Sequence, residues 1–158
     1  MAAHVTIELD SETLEDVICE LELSNPPTFA LNHSGRLSGV RVRDNQQVRG
    51  SYHGASNHVT ITSQGSSYER EGLFVLTKHV RFTVLHELRH AWQREHWTEE
   101  QQIAGRLGSY EFRLEETDAN SWADYAMPKY RGLVTIKRTQ VGKSGFSSLD
   151  RVARKEAR

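Results

Sequence analysis

The apolar pattern of this chain changes period near residue 73, and that change constrains the fold more than any other feature. Before it, from Thr28 to Ser63, short alternating segments (FALN, LSGVRVR, QVRGSY, HVTITS) are separated by turn chemistry, as expected for strands with one buried face. After it, residues 73–95 are helical in character. A further helix is expected from about Ser109 to Met127, where Pro128 ends it. Strands come early and helices late. The fold class this implies is α+β, with a small, mostly antiparallel N-terminal sheet packed on a helical half.

The remaining segments fit that plan. HVTIEL (4–9) alternates like a strand, and SETLEDVICELEL (11–23) sets Leu14, Val17, Ile18 and Leu21 on one helical stripe, stopped by Pro26-Pro27. Hairpins are expected near Ser34-Gly35 and Asp44-Asn45. Thr98 with Gln101 reads as a capping box, and Gly108 as the stop of that short helix. RGLVTIKR (131–138) reads as a late strand and SSLDRVARKEA as a terminal helix. At 158 residues the expectation is one domain: 1–65 for a helix and small sheet, 66–128 for the helices with the unusual residues, and 129–158 for a late strand and basic tail.

Composition excludes some functions. A net charge of −1 gives no general attraction to nucleic acid or membrane, although seven carboxylates lie in residues 1–22 and seven Lys/Arg in 137–158. Neither partner is expected. Cys19 is the only cysteine, which rules out an internal disulfide and suits a reducing compartment; the apolar side of its helix is its expected place. No apolar run reaches the ~20 residues of a membrane span. The acidic start does not resemble a secretion signal, so a cytoplasmic protein is expected.

The unusual residues are in RFTVLHELRHAWQREHW (81–97). His86 and His90 are four apart, so on a helix their rings project from one face and can meet one Zn²⁺ at ~2.0–2.1 Å. Glu87 is displaced around the helix from both. There it can reach a metal-bound water, the position a general base needs in peptide hydrolysis. The flanking Val84, Leu85, Leu88, Ala91 and Trp92 make the helix largely buried, and two buried imidazoles without partners would be costly.

A catalytic zinc needs a third protein ligand and an open position. His96 has the spacing of the long motif H-E-x-x-H-x-x-G-x-x-H, but Gln93 stands where that motif has its helix-breaking glycine. On a continuing helix His96 points about 80° away from His86. The better candidate is Glu116, which shares a face with Ala119, Asn120 and Ala123. Two alanines allow close approach to another helix, the carboxylate reaches the metal, and Asn120 is placed to support a ligand. Glu115 falls about 100° off that face.

These residues resemble the ImmA/IrrE family of zinc metallopeptidases. RFTVLHELRH is similar to that family's Arg-Phe-Thr-x-x-His-Glu-x-x-His signature. Glu116, Ala119, Asn120, Trp122, Ala123 and Met127-Pro128 resemble its downstream Glu-x-x-Ala-Asn-x-aromatic-Ala helix and Met-Pro end. Arg89 replaces the glycine usual before the second histidine. The resemblance implies one Zn²⁺ per chain on His86, His90 and Glu116, Glu87 as base, and a protein or peptide substrate. Some members cleave a helix-turn-helix repressor, which implies such a partner and a regulatory role in a mobile element or phage.

The expected function is therefore a zinc-dependent metallopeptidase. Tyr125, Tyr130 and His79 are candidates for a second electrophile, and spacing does not choose among them. Two other readings compete with it. In one, a fourth protein ligand makes the zinc structural; in the other, the chain is a metal-free interaction module.

Overall fold

The computed structural model describes residues 3–34, 47–64 and 70–140. The turns expected at 35 and 44–45 and the terminal helix fall outside them. The described elements are β1 (Ala3–Leu9), α1 (Ser11–Glu20), β2 (Thr28–Ser34), β3 (Gln47–His53), β4 (His58–Gln64), α2 (Arg70–His96), α3 (Glu99–Gly105), α4 (Leu114–Ala126) and β5 (Val134–Gln140). The α+β class and the early-sheet, late-helix order hold.

The strands divide into two sheets. β1 and β5 pair antiparallel, with Ile7 opposite Ile136. The other sheet has the order β2-β4-β3, in which β3 and β4 form a hairpin and β2 lies parallel to β4. In that hairpin's turn Asn57 takes a positive φ of 49°, a conformation its short side chain tolerates. Its amide then accepts from the Tyr52 hydroxyl at 2.8 Å and donates to the Asn25 carbonyl at 2.8 Å.

One helix organises the core. α2 runs unbroken for 27 residues, and Leu73, Leu76, Val80, Val84, Leu88 and Ala91, at steps of three and four, are all buried. They share a single cluster with Val59 and Ile61 of the central strand β4, whose alternate residues face the helix. The other flank of α2 packs on α4. Arg81, also buried, donates to the Arg131 carbonyl at 3.0 Å and to Met127 Sδ at 3.4 Å, tying mid-α2 to the turn after α4. A helix held between a sheet and a second helix is a rigid mount for side chains.

Several boundaries differ from expectation. α1 stops at Glu20, because Glu22 adopts a positive φ of 50°. Cys19 is exposed, not on the apolar side: it lies two residues from the fully buried Val17, about 200° around the helix. α3 has its full Thr98–Gln101 capping box but ends at Gly105, leaving Gly108 in the following loop at φ 90°. The helix expected from Ser109 is interrupted. Residues Tyr110–Phe112 form a 3-10 turn, Arg113 is extended, and α4 starts at Leu114.

Candidate metal centre

α2 and α4 bring three donor side chains to one point. His86 Nε2 lies 2.9 Å from Glu116 Oε2, His90 Nε2 lies 3.2 Å from Glu116 Oε1, and the two imidazole nitrogens are 3.1 Å apart. An ion with tetrahedral ligands at ~2.0–2.1 Å separates its donor atoms by about 3.3 Å. The observed spacing fits that figure, and the three residues could hold a metal ion.

Local sequence explains the convergence. The i, i+4 histidines are on the α4-facing flank of α2, with rings edge-to-face at 4.7 Å between centroids. On α4, Glu116, Ala119, Ala123 and Ala126 form the buried stripe, and the alanines let the two helices approach closely enough for a carboxylate to reach. Glu115 points elsewhere, 4.0 Å from Arg106. Asn120 does not support a ligand. It lies at the edge of that stripe, on its solvent side, and is exposed.

The residue that does contact a candidate ligand is Gln93. Its Oε1 is 2.8 Å from His90 Nδ1, while its Nε2 donates to the Glu115 carbonyl and to Asp118 Oδ2, each at 2.8 Å. Asp118 is gripped in turn by the Arg89 guanidinium at 2.9 and 3.1 Å. In sequence Gln93 registers only as a helix former replacing a glycine. The signal available was its i+3 spacing from His90.

Burial shapes the electrostatics. Desolvation opposes charge on His90, but bonds to Glu116 and Gln93 and the nearby Glu87 outweigh it and push the ring up to about 9. Desolvation also opposes charge on Glu116, and the two histidines overcome it, holding that carboxyl far below its ordinary range. Glu87 is only 5% exposed, and burial raises its pKa against the pull of both histidines. Its Oε1 stands 4.0 Å from His86 Nε2, outside direct bonding but beside the cluster.

Glu87, His90 and Glu116 face a cleft of about 360 Å³ whose wall also includes Gly50, Tyr52 and Tyr110. None of the three expected electrophiles lines it. Tyr125 and Tyr130 sit with Lys129 around Glu20, and His79 is exposed elsewhere on α2. The tyrosines on that wall are Tyr52 and Tyr110, of which Tyr110 is the one beside Glu116. Its ring is largely exposed, but partial desolvation of the hydroxyl and the Glu116 carboxylate beside it raise its pKa. Read as one helix from 109, the sequence puts Tyr110 about 120° from Glu116; the extended Arg113 removes that constraint.

His96 is remote from the cluster. Its Nε2 is 3.1 Å from the Glu22 carbonyl, and its ring stacks on Trp92 at 5.2 Å. Among the described residues no helix is long and apolar enough to cross a membrane. No protein-family model, no curated protein and no solved structure matches the chain.

Proposed function

We propose that the chain is a zinc-dependent peptidase acting on a protein substrate in the cytoplasm. The observation that carries this reading is the convergence of His86, His90 and Glu116 beside a cleft that His90 and Glu116 line, with Glu87 on the cleft wall just off the cluster. A structural zinc would need a fourth side chain, and among the described residues three converge. Two imidazoles and a carboxylate are the donor set expected for a catalytic zinc.

When bound, zinc supplies Lewis acidity, acidifying a water and polarising the scissile carbonyl. The chain's own residues supply the rest. Glu87 takes the proton of the attacking water and delivers it to the leaving amine. The backbone of β3 at Gly50 passes close against its side chain, leaving no room there for a β-carbon. The Tyr110 hydroxyl, on the cleft wall, donates to the oxygen that gains charge. β3 runs along the same wall through Gly50, Ser51 and Tyr52, so an extended peptide can lie beside its backbone.

The resemblance of the α2 and α4 motifs to the ImmA/IrrE family supports the same reading. On that ground the substrate class is a regulatory protein, with a helix-turn-helix repressor as the first to test. The experiment compares wild type with Glu87→Gln, both purified without nickel resin. Both should hold about one zinc per chain, and only wild type should hydrolyse substrate. Equal hydrolysis by the variant would remove Glu87 from this role. Glu87→Gln also serves as a trap to recover the substrate from lysate.

A further inference from the structure

We propose that Arg89, Asp118 and Gln93 form a positioning relay that fixes the His90 ring with a hydrogen on Nδ1 and the Nε2 lone pair aimed at His86 and Glu116. This rests on the metal reading above and assigns a purpose to the arginine that replaces the resembled family's glycine.

The relay follows from which groups can donate. Gln93, 4% exposed, directs Nε2 at a main-chain carbonyl and at a carboxylate, and neither has a hydrogen to offer. Turning the amide over would aim its oxygen at two acceptors, so Oε1 must face His90. Being an acceptor there, at 2.8 Å, it requires the hydrogen of His90 on Nδ1. A metal ion that takes the place of the Nε2 proton then meets the ring's remaining lone pair on Nε2, the atom 3.2 Å from Glu116 and 3.1 Å from His86.

Arg89 anchors the other end. Its fork meets both oxygens of Asp118, and its guanidinium lies over Trp92 at 3.5 Å, with Trp122 at 5.9 Å. A lysine ammonium keeps the charge but reproduces neither the fork nor the flat stacking. The relay also joins the two ligand-bearing helices: Arg89, His90 and Gln93 are on α2, Asp118 and the Glu115 carbonyl on α4. It therefore sets the helix separation as well as the ring. His86 has no such support, since its Nδ1 is buried without a partner among the described residues.

The test uses the full chain, zinc competition with a chelator, and nitrogen-15 NMR of the zinc-loaded histidines. Gln93→Met keeps volume and helix propensity but removes the acceptor. It should weaken zinc by about 10–100-fold and abolish the exchange-protected His90 Nδ1–H signal. Arg89→Lys should weaken zinc by a smaller factor in the same direction, and remains informative should Gln93→Met fail to fold. Wild-type affinity in both variants, or weaker binding with the Nδ1–H signal intact, would overturn the relay. If wild type itself binds no zinc, the metal reading fails first and takes the relay with it.

Discussion

Gly50 on β3 lies so close to Glu87 on α2 that a β-carbon there would sit 2.9 Å from Glu87 Cγ and 3.0 Å from its Oε1. The same atom would be 2.5 Å from Thr83 Cγ2. Only glycine lets the strand pass Glu87 at this distance. Gly50→Ala should therefore displace the carboxylate, cut hydrolysis sharply and destabilise the fold by about 1–3 kcal/mol, while zinc content stays at the wild-type level. Urea unfolding and metal analysis on the same sample check both halves.

Ala119 and Ala123 are fully buried where α4 meets α2, one turn and two turns beyond Glu116. A larger side chain there pushes the helices apart and withdraws the carboxylate from the histidines. Ala119→Leu should cost about 1–3 kcal/mol and weaken zinc. Wild-type zinc affinity in a folded Ala119→Leu protein would mean that helix separation does not govern the site.

Tyr110→Phe removes a cleft-wall hydroxyl that stands beside Glu116 while keeping every proposed ligand side chain. If that hydroxyl donates to the developing oxyanion, kcat should fall by about 100-fold with KM little changed. Tyr125→Phe and Tyr130→Phe, remote from the cleft, should leave kcat as it was. The reverse ranking would return the role to one of those two.

Glu95, near the end of α2, accepts from the Ser24 amide at 2.8 Å, the Ser24 hydroxyl at 2.6 Å and the Asn25 amide at 3.3 Å. Burial opposes its charge, but these bonds outweigh it and lower the pKa below 4.5. A lowered folded value means the contribution is complete above the ordinary pKa and is lost as pH falls through the lowered one. Solvent screening limits it to about 1 kcal/mol or less. Glu95→Gln should flatten the acid side of the stability profile accordingly, measured by denaturation at pH 3 to 6 against wild type.

Much of this site was legible because it is local. His86, Glu87 and His90 are within one and a half turns of a single helix, and their mutual geometry follows from its pitch. Glu116 was legible because two alanines on its face mark a close helix contact. The helix continues unbroken past Gln93, which carries His96 away from the cluster to the Glu22 carbonyl. What escaped is tertiary. Spacing and the motif resemblance put Asn120 beside Glu116, yet the buried arc of α4 runs from Glu116 through Ala119 and Ala123 to Ala126 and leaves Asn120 outside it. Tyr110 came into view only because Arg113 interrupts the helix. The pairing of Gln93 and Arg89 with Asp118 spans more than 20 residues of chain, and so does the parallel pairing of β2 with β4. No local pattern encodes either.

The central claim is that one ion is held by two histidines of α2 and a carboxylate of α4. Metal content of wild type, Glu116→Ala and His96→Ala, all purified without nickel resin, tests it most directly. About one zinc per chain is expected in wild type and in His96→Ala, and little in Glu116→Ala. Metal-free wild type, or zinc retained in Glu116→Ala and lost in His96→Ala, would contradict it.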